Sequence, residues 1–280
     1  MQKFGLELLF HIVGIGSASG LFFNGGSLYL ISDNSRMLYE YKMQEQQLEK
    51  IMLTKDSPDA QENIAKKDKP DYEAIAAKGD TIYLFGSGST DKRNTIERIN
   101  TATGEVLPSI DAADLYLNMQ SFGEIDAHNF NIEAVVNDGN TWYFFQRGNG
   151  PEQQNGIFTL EGDMNELFFQ IIYNPVKLPK INGARASFTD AVKVGSKLYF
   201  IAAAEASNST YQDGEIAGTL IGRMDIEKMK VEKTKVISEK NKFEGITLYK
   251  DNGKTLEFLL CEDTDSDATE SGIYKLTIEK

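Results

Sequence analysis

The chain has 280 residues, a formal net charge of −13, and 41% hydrophobic and 10% aromatic residues. That composition supports a packed interior and excludes intrinsic disorder. The acidic balance argues against a nucleic-acid backbone as partner, because such binding depends on basic side chains that release counterions.

In chain order, the first strand-like run is 6–13, which has no repeat of its own. After it, five segments restart alike: Ala18-Ser19-Gly20-Leu21, Asp71-Tyr72-Glu73-Ala74-Ile75, Asn131-Ile132-Glu133-Ala134-Val135, Phe188-Thr189-Asp190-Ala191-Val192 and Phe243-Glu244-Gly245-Ile246. Taking Ser19, Glu73, Glu133, Asp190 and Glu244 as equivalent, the intervals are 54, 60, 57 and 54 residues. Glu244 stands 36 residues before the C-terminus, and with the first 19 residues this makes 55, so the period closes across the termini. Each motif is followed by a glycine- or asparagine-bearing turn and a second apolar run, at 27–31, 81–85, 141–145, 197–201 and 256–260. Third strands follow at 38–41, 95–99, 156–160, 220–224 and 273–276. Fourth strands are visible in four repeats only, and 6–13 supplies the missing one by pairing beside 273–278. Short strands at this period, closing on themselves, predict an all-β fold: a five-bladed β-propeller of four-stranded antiparallel blades. The expectation is one domain, 1–280, with blades at 19–54, 71–110, 131–173, 188–237 and 243–280 plus 6–13. Between blades two and three, the stretch 109–119 predicts a short helix capped by Ser109 and placed to form part of a lid or to pack over the blade edge.

In such a blade the first strand begins and the second ends on the same face, so that face collects both sets of side chains. The first set is the ring of Ser19, Glu73, Glu133, Asp190 and Glu244. The second, which differs blade by blade as a binding site requires, supplies Asp33, Ser87, Arg147 and Glu262 as ligand-binding candidates. Four converging carboxylates need a cation, a shared proton or basic neighbours. Calcium suits them best among divalent ions, with Glu73, Glu133, Asp190 and Glu244 as ligands. The other reading makes each acid a latch that accepts backbone N–H bonds from the next blade.

The Glu-Ala/Gly-Ile/Val motif at the inner strands resembles that of an uncharacterised bacterial propeller family akin to the esterase-like or phytase-like propellers. More distantly it is similar to the gluconolactonase- and paraoxonase-type propellers, in which an inner-strand glutamate and polar residues of other blades hold calcium in the channel. The resemblance implies Glu73, Glu133 and Glu244 as ligands with Asp190 as a conservative variant; Ser19 departs from the pattern.

Other motifs are weaker. Asp263-Thr264-Asp265-Ser266-Asp267 alternates acids like a calcium loop but has Ala268 and Tyr274 where an EF-hand needs glycine and glutamate. The loop from Gly86 to Asn94 holds Lys92 and Arg93 among small residues and could cradle an anion with Arg147, without P-loop spacing. Gly16-Ser17-Ala18-Ser19-Gly20 puts alanine where a nucleophile elbow needs serine. Of two histidines, His11 belongs to the closing strand, and His128 precedes Glu133 closely enough to be a general-base candidate, with Arg147 as a substrate contact. Two functions follow: a binding module whose acidic funnel holds a small ligand, a metal or a protein partner, or a calcium-dependent hydrolase of a small ester, lactone or phosphate.

No stretch approaches the roughly 18 apolar residues of a membrane-spanning helix. No secretory leader precedes the first strand, and the lone Cys261 fits a reducing compartment. The expected location is the cytoplasm, or the periplasm or outside the cell if a leader was removed.

Overall fold

The computed structural model describes residues 4–54, 61–148, 154–206, 215–264 and 269–280, with the backbone alone at 206. The start of the first interblade connector, the acid-rich loop after Thr264 and most of the loop after Glu205 lie outside the described residues.

The closing strand β1 (Phe4–Val13) comes first. Blade one is β2 (Ala18–Asn24), β3 (Ser27–Ser32), β4 (Met37–Lys42) and β5 (Gln47–Met52). Blade two is β6 (Tyr72–Lys78), β7 (Thr81–Gly86), β8 (Thr95–Asn100) and β9 (Glu105–Asp111), followed by helix α1 (Ala113–Gly123). Blade three is β10 (Ile132–Asp138), β11 (Thr141–Gln146), β12 (Gly156–Asp163) and β13 (Phe168–Pro175). Blade four adds a two-residue strand β14 (Lys180–Ile181) to β15 (Ala184–Val194), β16 (Lys197–Ala206), β17 (Glu215–Asp225) and β18 (Lys230–Ser238). Blade five is β19 (Phe243–Asp251), β20 (Thr255–Glu262) and β21 (Glu270–Glu279), completed by β1.

The closure matches the sequence reading: β1 runs antiparallel to β21 from Phe4 opposite Ile278 to Val13 opposite Glu270. Inner strands β2, β6, β10, β15 and β19 neighbour one another in cyclic order, and β19 meets β2 to shut the ring. Apolar side chains alternate along these strands, so each blade buries both faces against its neighbours, and the core divides into five clusters, one per interblade seam. The blades approach closely at Gly245, where a Cβ would stand 2.6 Å from Cys261 Sγ and 2.9 Å from the Leu21 backbone nitrogen. Glycine is required there by contact rather than by turn geometry.

Helix α1 begins four residues later than the sequence indicates. Residues 105–111 stay extended because they pair with β8, and Ser109 donates its hydroxyl to Glu97 instead of capping the helix. Leu115, Tyr116 and Met119 bury into the seam between blades two and three, and Tyr116 donates to the carbonyl of Gly86 at 2.7 Å. The helix therefore packs over a blade edge. Among the described residues no helix is long and apolar enough to cross a membrane.

Candidate functional site

Every inner strand carries a β-bulge near its start, where two residues face one on the second strand. The extra residue is Ser19, Glu73, Glu133, Thr189 or Glu244. Blade four thus aligns on Thr189, one residue before the Asp190 that the shared acid character had selected, and the last two intervals become 56 and 55 residues. The hydroxyls at this position are latches. Ser19 donates to the Tyr72 carbonyl at 2.6 Å, and Thr189 to the Phe243 carbonyl at 2.8 Å, each reaching the residue before the next blade's bulge. Asp190 is also a latch: its two oxygens accept the backbone N–H groups of Ala191 and of Ile246 in blade five, both at 2.7 Å.

The three glutamates lie among charges that the connectors and strand ends deliver. Lys69, in the connector before blade two, places its ammonium against Asp33 and 2.7 Å from Asp71. Asp71 also receives Arg93 at 2.8 Å and the Ser87 hydroxyl at 2.5 Å. On the other side, Arg147 approaches Glu133 at 3.5 Å and Glu205 at 3.9 Å, while Asn131 donates to Glu133 at 2.6 Å. Lys242 lies 3.0 Å from Glu244, 3.2 Å from Glu205 and 3.9 Å from Asp263. Glu73 stands between the two networks with no hydrogen bond or ion pair among the described residues, one oxygen lying within 4.8 Å of oxygens of Asp33 and Asp71.

Of the sequence-derived candidates, the structure gathers Asp33, Glu73, Ser87, Glu133, Arg147 and Glu244 at this mouth. It does not bring Glu262 there: its carboxylate accepts from Asn241 and from the Tyr274 hydroxyl, both at 2.7 Å, and the next residue, Asp263, faces Lys242. The position following the residue paired across from each bulge is the one that faces the mouth, and in blade five that is 263, not 262. His128 sits exposed on a short 3-10 turn, and His11 lies 3.9 Å from Glu270 at the molecule's edge. The loop after Gly86 spends Arg93 on Asp71 and Lys92 on Asp68, so its cations are already paired with acids.

Lys69, Asp71, Glu205 and Lys242 were missed as site residues, and Asp263 was read only as part of an acid-rich loop able to donate one oxygen at this face. A signal existed for two of them: Asp71 and Lys242 precede Glu73 and Glu244 by two, the spacing that places side chains on one side of a strand.

The four acids read as calcium ligands do not share a set of oxygens. Among the described residues, the group of three or more acids within mutual ligating reach is Asp33, Asp71 and Glu73, and the Lys69 ammonium already neutralises two of its members. Glu133 and Glu244 are matched by Arg147 and Lys242, and Asp190 by backbone. This arrangement does not fit a calcium ion held by the ring.

Burial pushes Glu73 well above the usual carboxylate range, reinforced by the charges of Asp71 and Glu133 against the pull of Lys69. Burial likewise raises Glu133 to about 7 although Arg147 opposes it, and it raises Asp33 despite Lys69. Burial also works against the charged form of Asp71, but Lys69 and Arg93 outweigh it and hold this acid below its ordinary value. An acid whose folded value lies above its unfolded one contributes stability that is whole below the unfolded value and lost as the pH rises through the folded one. For Glu133 that window runs from its ordinary 4.5 to about 7. Glu133→Gln is therefore expected to flatten the decline of Tm between about pH 5 and about pH 8, with the variant above wild type at the upper end. Calorimetric profiles that stay parallel would show that Glu133 ionises freely in the folded protein.

The closed ring of blades and its charged mouth define a five-bladed β-propeller with a concentration of buried ionisable groups at one end of the channel. The chain belongs to the Family of unknown function (DUF6929), which it matches over residues 14–278. No curated protein matches it. Among solved structures it is similar in fold to the glutaminyl cyclase of Myxococcus xanthus, at 10% identity and a TM-score of 0.54, over 98% of this chain and 97% of that one. It is also similar to the PQQ-bound aldose sugar dehydrogenase of Streptomyces coelicolor, at 11% identity and a TM-score of 0.52, over 99% of each chain.

Proposed function

We propose that the protein is a binding module that holds a small polar ligand in the mouth of its channel. The observation that carries this reading is Glu73, a carboxylate at the junction of two ion-pair networks that makes no hydrogen bond or ion pair of its own among the described residues, although it feels the charge of Lys69. Among the described residues the mouth holds seven carboxylates (Asp33, Asp71, Glu73, Glu133, Glu205, Glu244, Asp263) against four cationic side chains (Lys69, Arg93, Arg147, Lys242). Asp33 Oδ1 is buried without a hydrogen-bond donor among the described residues. A buried acceptor without a donor costs roughly 1–3 kcal/mol, so a ligand that brings donors recovers energy the protein alone forgoes. The likeness of the inner-strand motif to esterase-like, phytase-like and lactonase-type propellers supports a ligand at this end of the channel.

One observation favours a second reading, a hydrolase of a small ester, lactone or phosphate: Glu133, held to about 7, exchanges protons near neutrality. Among the described residues it lacks a companion nucleophile, since Ser87 is fully buried and donates to Asp71.

The test is thermal unfolding against a panel of small polyols, amines, amino acids, organic acids and calcium. At least one organic class is expected to raise the midpoint of wild type and not that of Glu73→Gln, because a ligand bound only to the folded state stabilises it by mass action. Calcium and chelator are expected to leave both midpoints in place. A midpoint that falls with chelator and recovers with calcium would restore the metal reading. A panel without any Glu73-dependent shift would end the proposal.

A further inference from the structure

Glu73 has a counterpart of opposite sign. Arg147 lies largely buried at the mouth, its side chain 26% exposed, yet among the described residues its guanidinium makes a single hydrogen bond, the 3.5 Å contact to Glu133, with Glu205 farther off at 3.9 Å. A guanidinium carries five N–H donors in a planar fork, so most of this fork is uncommitted. Such a fork binds a carboxylate through two parallel bonds. Glu73 and Arg147 belong to one electrostatic field: Glu73 is among the acids that hold the Arg147 charge in place. Beside the half-buried Glu73, Asp33 Oδ1 offers a buried acceptor without a donor among the described residues.

These features select a charge pattern. An anion alone would meet Arg147 but also a mouth in which acids outnumber bases by three, as counted above. A cation alone would satisfy Glu73 and leave the guanidinium fork idle. Both needs are met by one molecule with an ammonium and a carboxylate a few bonds apart. We propose that the ligand is a small zwitterion of the amino-acid type, with its ammonium donating to Glu73 and Asp33 and its carboxylate bound by Arg147. The assignment rests on the binding-module reading and narrows it to one ligand class. The raised protonation range of Glu73 adds a consequence: an arriving ammonium favours the ionised carboxylate, so binding releases protons.

The experiment is isothermal titration calorimetry of the full chain with the common free amino acids, each binder being compared with its N-acetyl form, which lacks the cation, and its amide, which lacks the anion. Either modification is expected to weaken binding about tenfold or more, as loss of a hydrogen bond between charged groups does. Glu73→Gln should abolish the preference for the free form over the N-acetyl form while keeping the preference over the amide, and Arg147→Gln should do the reverse. Arg147 pairs with Glu133, so Arg147→Lys serves where Arg147→Gln fails to fold; it keeps the charge, loses the fork and should still blunt discrimination against the amide. An amide that binds as tightly as its free acid would overturn the zwitterion assignment. If no amino acid binds but another compound shifts the midpoint in a Glu73-dependent way, the zwitterion falls and the binding module stands. If nothing binds in that way, both fall.

Discussion

Removing residues 1–13 is expected to cost the protein its solubility. Blade five would keep β19, β20 and β21 and expose the whole edge of β21, from Glu270 to Ile278, that β1 now covers. Unpaired strand edges template association. The strand also contributes Ile12, 1% exposed, to the core between blades five and one, beside Ile15, Leu259 and Ile273. Losing it opens that seam as well as the edge. A synthetic peptide of residues 1–14 supplied during refolding should restore part of the soluble fraction by adding the strand back. In the full chain, Ile12→Ala should cost about 2–4 kcal/mol, the usual range for emptying a buried aliphatic site. A truncated protein that is monomeric by sedimentation and melts with wild type would show that the ring closes without β1.

The second large effect belongs to Lys242. Its side chain is 7% exposed and lies near Glu205, Glu244 and Asp263, themselves 16%, 10% and 10% exposed. Burial works against its charge, yet Glu244 and Glu205 hold its protonation above the usual lysine range. Lys242→Met would leave those acids without their central cation, a loss of about 3–5 kcal/mol when a buried pair is broken on one side. At this chain length that corresponds to a drop of about 5–9 °C in Tm. Adding Glu244→Gln should recover part of the loss, because one of the stranded charges disappears with it. Lys197, which pairs with Asp225 and Glu232 in a more accessible setting, provides the contrast: Lys197→Met should lower Tm far less than Lys242→Met. Equal losses at the two positions would mean that the mouth is wetter and less coupled than its burial implies.

The architecture was legible in the sequence because its cause is periodic. Apolar alternation and hairpin turns recur five times, and a strand without a blade at one end answers a blade without a strand at the other. The mouth was half legible. Glu73, Glu133 and Glu244 announce themselves by repetition, whereas the charged groups that surround them do not repeat. Lys69 sits in a connector that reads as polar loop, Arg93 in a run of small residues, and Glu205 on a strand that continues beyond its counterparts in other blades. In blade four, matching acid with acid picked Asp190, while the packing pattern picks Thr189: Phe188 occupies the place of Tyr72, Ile132 and Phe243, each buried just before its bulge. Glu262 was displaced by one for the same reason. A bulge breaks the two-residue rhythm, so chemical likeness loses to register.

The pairing of β1 with β21 joins Phe4 to Ile278, partners 274 residues apart in the chain. On the ribosome the closing strand is made before all five blades and its partner after the other strands of the ring. At about 5–20 residues per second, that separation imposes a wait on the order of 10–60 s. Throughout this interval Leu8, Leu9 and Val13, exposed even in the finished molecule, have only solvent or another chain to meet. The ring therefore commits late. Four blades can form in order of synthesis, but the fifth and the two seams it shares cannot be completed until the last strand emerges, which makes the nascent chain dependent on whatever shields its leading strand in the meantime.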